Sequence, residues 1–141
     1  MILLDTNVIS EAMRPVPDQL VLAWLDAVTG DEVYTTAICE AELLYGIALL
    51  PEGRRRAELE QVAARLFADR LRGRVLAFDQ AAAPHFAAIA SSRRATGTPI
   101  SIQDAQIAAI ARAAGATIAT RNTADFLGTG VAVVNPWAPA R

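Results

Sequence analysis

The sequence predicts an α/β protein whose strands form a mostly parallel sheet. The first observation is that short apolar segments rich in β-branched residues alternate along the chain with longer stretches of helical periodicity. This alternation is typical of strand–helix–strand units. The second is that the 141 residues contain no internal repeat and no low-complexity linker, and 53% of them are hydrophobic. We therefore expect a single domain, residues 1–141, with a substantial core.

Five strands are predicted, each a run of about four apolar or β-branched residues. The first is apolar throughout, as expected of a strand that is buried on both faces. The predicted strands are residues 1–4, 33–36, 75–78, 117–120 and 131–134.

Helical segments fill the intervals between these strands, and capping or breaking residues mark their ends. Asp18 is a good N-cap, Pro51 ends one helix, and Gly115 follows the last long one. The predicted helices are residues 18–28, 37–50, 53–71, 79–95 and 101–114, with a short turn at 123–127.

Acidic side chains recur where the predicted strands end, and parallel α/β sheets bind ligands outside the carboxyl ends of their strands. Asp5 follows the first strand, and Glu42 and Asp104 lie in the first turns of two helices. Asn122 and Asp125 follow the fourth strand. Clustered carboxylates repel one another unless a cation satisfies them, and the chain has no lysine. Oxygen ligands of this kind favour Mg²⁺ or Mn²⁺.

Each acid also has a structural interpretation. Asp5 begins the segment Asp-Thr-Asn, which suits a turn or a helix cap. Asp104 ends a Ser-x-x-Asp capping box, and Asp125 can cap the short turn. Glu40 and Glu42 differ by roughly 200° around a helix, so only one of them can face a site. Residues and spacing alone leave these alternatives open.

Composition excludes several classes of protein. A P-loop needs a lysine, and so does a phosphoacceptor receiver domain, so neither can be built here. The net charge of −2 argues against a broad, non-specific DNA-binding surface. The start of the chain lacks the features of a signal peptide, and no apolar run approaches the roughly 20 residues of a membrane span. We expect a cytoplasmic protein.

Five segments of the chain also resemble a known family, in family order: "MILLDTNVIS", "AELLYG", "SIQDAQIAAIA", "ATRNTADF" and "VAVVNPW". They resemble the PIN-domain family and, more narrowly, the VapC/FitB-like toxins of type II toxin–antitoxin pairs. The resemblance implies a three-layer α/β/α sandwich around a mostly parallel sheet. It also implies an Mg²⁺-dependent endoribonuclease, with Mn²⁺ possible, that cleaves RNA by metal-activated water.

The resemblance assigns roles to individual positions. It places the catalytic, metal-holding acids at Asp5, Glu42 and Asp104. A fourth acidic position falls on Asp125 or on Asn122, because family members use either. It selects Glu42 rather than Glu40, since Glu42 is the acid of "AELLYG".

Supporting roles follow from the same resemblance. Small polar positions fall on Thr6 and Thr120, which together with Asn122 would orient carboxylates or water. Arg121 is a candidate phosphate contact, and a solvated loop arginine is the alternative interpretation.

Partners are implied as well. The resemblance implies an RNA substrate, a homodimer, a cognate antitoxin whose C-terminal segment wraps the toxin, and DNA contact only through that antitoxin. The predicted helix 37–50 has apolar residues on nearly every face, which indicates a buried or interface helix. Two alternatives stay open. One is a PIN-like RNA- or protein-binding module without nuclease activity. The other is a small phosphatase with Asp5 as nucleophile, although Asn7 stands where such sites usually place a second Asp.

Overall fold

The computed structural model describes residues 1–139. Five strands and six helices follow the order that the sequence predicted, with one additional helix. The strands are β1 (Ile2–Leu4), β2 (Val33–Thr36), β3 (Val75–Leu76), β4 (Thr117–Ala119) and β5 (Val133–Val134). The helices are α1 (Thr6–Ala12), α2 (Gln19–Ala27), α3 (Ala37–Ala48), α4 (Arg54–Arg65), α5 (Ala83–Ala95) and α6 (Ile102–Ala114). In this described part of the chain, no helix has the length and apolar character to cross a membrane.

The strands form one sheet in the order β3-β2-β1-β4-β5, and every pairing is parallel. Leu3 pairs with Tyr34 on one side and with Ile118 on the other. The chain first adds strands on the β2 side of β1 and then returns to its β4 side. This reversal opens a crevice at the carboxyl ends of β1 and β4, the place where such sheets bind ligands.

Helices cover both faces of the sheet, because successive strand residues point to opposite faces. Leu3 and Ile118 pack into a core cluster with α5 and α6. Leu4 and Ala119, the next residues along the same strands, pack with α1 to α4. The three-layer α/β/α architecture and the parallel sheet are therefore confirmed.

Helix α1 was not predicted. Its sequence, TNVISEA, contains Asn and β-branched residues of modest helix propensity. Thr6 N–H donates to Asp5 Oδ1 at 2.8 Å, so Asp5 caps the helix. Val8 and Ile9 are buried in the core. Capping and burial therefore decide the conformation of this segment.

Several predicted boundaries were wrong by a few residues. Helix α5 begins at Ala83, because Asp79 Oδ1 accepts from the N–H of Ala82 at 3.1 Å and forms a turn over the predicted first residues. The helix predicted over 53–71 is α4 followed by a π-helical turn at Leu66–Arg70. The short turn after β4 is a 3₁₀ helix, Thr123–Phe126.

Candidate active site

Asp5 is held at the carboxyl end of β1, where it is 6% exposed. Its Oδ1 accepts the capping bond from Thr6, and its Oδ2 accepts from Thr120 Oγ1 at 2.7 Å and from Asn7 Nδ2 at 3.3 Å. The carboxylate also faces a cavity. The Asp5 side chain therefore caps α1 and also takes part in the site.

The cavity has a volume of about 610 Å³ and opens at the carboxyl edge of the sheet. The four predicted acids all line it: Asp5, Glu42, Asp104 and Asp125. Glu40 is not among its lining residues, in agreement with the choice of Glu42. Sheet topology thus brings together carboxylates that lie far apart in the sequence.

Thr120, directly after β4, connects the two strand ends at the crevice. Its side chain is fully buried, and its hydroxyl donates to Asp5. The same oxygen accepts from Asn7 Nδ2 and from the backbone N–H of Asn122, both at 3.1 Å. Thr120 therefore fixes the orientation of the Asp5 carboxylate.

Glu42 lies on α3 and lines the cavity close to Asp5. Thr6 Oγ1 donates to its Oε1 at 3.3 Å. Burial raises the pKa of Glu42, and the negative charges of Asp5 and Asp104 raise it further, against a lowering by the Thr6 hydrogen bond. Among the described residues Glu42 forms no ion pair that would offset this repulsion.

Asp104 lies in the first turn of α6. Its backbone N–H donates to Ser101 Oγ at 3.1 Å, which makes Ser101 the helix cap. Burial raises the pKa of Asp104, and Asp5 and Asp125 raise it further, while Ser101 and Arg93 lower it. The capping role belongs to Ser101, which leaves the Asp104 carboxylate directed to the cavity.

Asp125 lies on the exposed 3₁₀ turn after β4. Within residues 1–139 its carboxylate accepts no capping bond, and the turn has no side-chain cap. Arg93 fixes this turn from α5: its Nη1 donates to the carbonyl oxygens of Asp125 at 2.8 Å and of Leu127 at 2.9 Å, and its Nε donates to that of Thr98 at 2.6 Å. Asp125 therefore does not cap this short helix.

The donor set suits a hard divalent cation. Single ligand atoms of Asp5, Cys39 and Glu42 lie within 4.8 Å of one another. Burial raises the pKa of the Cys39 thiol to about 11, so the thiol stays protonated at neutral pH and is a poor ligand. The remaining donors are carboxylate oxygens whose charges repel one another. A cation among them would relieve the repulsion that raises the pKa values of Glu42 and Asp104.

Comparisons with known proteins identify the family of the chain. The family model described as PIN domain matches residues 2–129. The chain belongs to the PIN-domain family.

Named relatives extend the match over nearly the full length. The chain is 46% identical to Toxin FitB of Neisseria gonorrhoeae over 97% of this chain and 99% of that protein. It is 42% identical to VapC ribonuclease Y4jK of Sinorhizobium fredii, over 99% and 100%. A solved structure, FitAB bound to an IR36 DNA fragment, superimposes with a TM-score of 0.94 at 42% identity, covering 100% of this chain and 99% of that one. The resemblance to VapC/FitB-like toxins is confirmed.

The site also contains two residues, Asn7 and Trp137, that were not predicted as site residues from the sequence. Asn7 donates to both Asp5 and Thr120, and its Oδ1 accepts from the backbone N–H of Arg121 at 3.2 Å. Trp137 also lines the cavity. The tripeptide Asp-Thr-Asn after a buried strand is the only sequence signal for Asn7, and no local signal identifies Trp137.

Proposed function

We propose that this chain is an Mg²⁺-dependent endoribonuclease toxin, with Mn²⁺ as an alternative cation, that a cognate antitoxin neutralises. The observation that carries the proposal is the convergence of Asp5, Glu42, Asp104 and Asp125 on one cavity at the strand crevice. The chain has no lysine, and none of these four acids forms an ion pair with an arginine among the described residues. Such a cluster suits metal-dependent chemistry on a phosphodiester.

Asp5, Glu42 and Asp104 would hold the cation, with Asp125 or Asn122 completing the site. When bound, the cation lowers the pKa of water and offsets negative charge that develops on the phosphate. Thr120 and Asn7 hold Asp5, which is the most enclosed of these acids, in a single orientation.

Thr6 orients Glu42 for the task of holding the cation. The hydrogen bond from Thr6 directs one oxygen of Glu42, and the other stays available to the cavity.

Names of relatives support the substrate class. One relative at 42% identity is named a ribonuclease, and another at 46% identity is named a toxin. We extend both names to this chain, with single-stranded RNA cleaved at internal phosphodiester bonds.

An antitoxin segment fits the groove beside the acidic cavity. Met13, Leu43, Ile47, Leu59 and Val62 line this groove, whose volume is about 430 Å³, between α1, α3 and α4. The groove joins the acidic cavity, because both are lined by Thr6, Ser10, Arg14, Glu42 and Arg55. An apolar segment seated in the groove could therefore place an arginine among the carboxylates. The neighbouring FitAB structure is described as bound to a DNA fragment, and we propose that this chain contacts DNA only through its antitoxin.

Exposed apolar side chains support a homodimer. Leu44 and Tyr45 on α3, and Leu49 directly after it, remain exposed. The sequence predicted that this helix is apolar on nearly every face, and the structure leaves part of that apolar surface exposed, where a partner subunit can cover it. Light scattering at micromolar concentration tests it, and a strict monomer would contradict the dimer.

RNA cleavage by the purified chain tests the enzymatic proposal. We expect cleavage of a mixed-sequence RNA with Mg²⁺ or Mn²⁺, and loss of cleavage when a chelator is added. RNA binding without cleavage under all of these conditions would favour the alternative, a PIN-like binding module.

A further inference from the structure

Arg121 stacks on an aromatic ring at the rim of the acidic cavity. Its Cζ lies 4.3 Å from the ring centroid of Trp137, a cation–π distance. Arg121 is the residue after Thr120, and both Arg121 and Trp137 line the cavity that holds the acids. The stack thus borders the place where a phosphodiester would be cut.

Hydrogen bonds and core packing hold both Arg121 and Trp137 in place. The backbone N–H of Arg121 donates to Asn7 Oδ1 at 3.2 Å, which ties it to the residue that also holds Asp5. Trp137 packs against the core cluster that includes Leu4 and Ala119, and its backbone N–H donates to Asn135 Oδ1 at 3.0 Å. The ring is therefore an anchored platform.

Stacking leaves the hydrogen-bonding edge of Arg121 unused. A guanidinium donates in its own plane, so a ring on its face does not compete with its N–H groups. The ion pairs in residues 1–139 involve Arg14, Arg54 and Arg56, and none involves Arg121. An exposed arginine with an oriented, unengaged edge is suited to bind a phosphate through two parallel hydrogen bonds.

We infer that Arg121 binds an RNA phosphate adjacent to the one being cleaved, and that Trp137 is a positioning residue that holds the guanidinium for this contact. This inference rests on the proposed ribonuclease function. It gives the acidic cavity an oriented positive contact for its polyanionic substrate, besides Arg14 and Arg55, which also line the cavity. It also distinguishes substrate binding, through Arg121, from the metal chemistry of the carboxylates.

Steady-state cleavage of RNA with Mn²⁺ tests the inference. Arg121→Gln should raise KM about tenfold and leave kcat within about twofold. It should also make the salt dependence of kcat/KM shallower by about 0.7 in log–log slope, the share of one phosphate on a single strand. Arg72→Gln is the matched control. Arg72 is exposed and precedes β3, at the opposite edge of the sheet, and its substitution should change neither value.

Trp137 is tested through Arg121. Trp137→Leu should raise KM in the wild-type background but add nothing in the Arg121→Gln background, because it acts only through the arginine. Trp137→Phe keeps an aromatic face and loses no hydrogen bond, since Nε1 has no partner within residues 1–139. It should retain a KM near the wild-type value, and melting temperatures identify any variant that fails to fold.

The outcomes distinguish a failure of the Arg121 contact from a failure of the proposed ribonuclease function. Cleavage by the wild-type chain with an unchanged KM and salt slope in Arg121→Gln would overturn the phosphate contact and leave the ribonuclease intact. A Trp137→Leu effect that persists in Arg121→Gln would overturn the positioning role. Absence of cleavage by the wild-type chain would overturn the proposed function itself, and the inference with it.

Discussion

Replacing Thr120 by valine removes the hydroxyl that orients Asp5 while keeping the shape of a fully buried side chain. The hydroxyl donates one hydrogen bond to a carboxylate, worth about 1.5–3 kcal/mol, and accepts two neutral ones, worth about 1 kcal/mol each. Asn7 keeps a second acceptor in Asp5, and the added methyl group returns about 1 kcal/mol. We expect a net loss of about 2 kcal/mol in the free energy of unfolding.

That loss corresponds to a fall of about 4–8 °C in melting temperature for a domain of this size. The functional consequence is more specific. An Asp5 carboxylate without its orienting donor should bind Mn²⁺ about tenfold or more weakly, as found when groups that orient metal ligands are removed. Isothermal titration calorimetry of the purified variant measures that affinity.

Thr129→Val is the matched control for Thr120→Val. Thr129 is equally buried, and its hydroxyl donates a single bond of 2.7 Å to the carbonyl oxygen of Phe126. It should lose about 1 kcal/mol of stability and bind Mn²⁺ as the wild type does. Unchanged Mn²⁺ affinity in a folded Thr120→Val protein would refute the orienting role and reduce Thr120 to a packing residue.

Three further predictions concern the remaining site residues. The folded-state pKa of Glu42 is raised, so the stability that this group contributes is complete below its ordinary pKa and is lost as the pH rises through the raised value. Glu42→Gln should therefore raise the free energy of unfolding of the metal-free protein at neutral pH by less than about 1 kcal/mol after solvent screening. The melting temperature should rise accordingly at neutral pH and match that of the wild type below the ordinary pKa of the group; equal melting curves at every pH would contradict this. Asp125→Asn should weaken Mn²⁺ binding and Asn122→Asp should partly restore it in the double variant, whereas unchanged calorimetric affinity in Asp125→Asn would leave a site of three carboxylates. Arg93→Lys should lower stability by about 1–2 kcal/mol in thermal unfolding, because a lysine cannot bridge the carbonyl oxygens of Asp125 and Leu127; an unchanged melting temperature would show that water replaces those bonds.

Strand and helix order followed from the sequence because burial dictates it. Residues 1–4 are apolar throughout, and β1 is the central strand with helices on both faces. The sequence pattern did not predict α1, because the helix propensity of this segment is modest. Its conformation depends on the Asp5 cap and on burial of Val8 and Ile9.

The acids of the site were predictable for a different reason. Parallel strands end at one edge, so Asp5 and Asp125, which follow strand ends, meet there whatever their separation in sequence. The choice of Glu42 over Glu40, and of Asp104, which follows α5 and not a strand, rested on the family resemblance. The contacts among them were not predictable. The bond from Thr120 to Asp5 depends on the pairing of β4 with β1. The stack of Arg121 on Trp137 depends on the path of the chain after β5.

Asp104→Asn tests most directly whether the carboxylates hold a cation that RNA cleavage requires. Asparagine keeps the size of the side chain, and the helix cap, Ser101, is unaffected. We predict that the folded variant loses Mg²⁺- and Mn²⁺-dependent RNA cleavage, while its metal-free melting temperature stays equal to or above that of the wild type because a repelled charge is removed. Wild-type cleavage rates in folded Asp104→Asn would contradict the account.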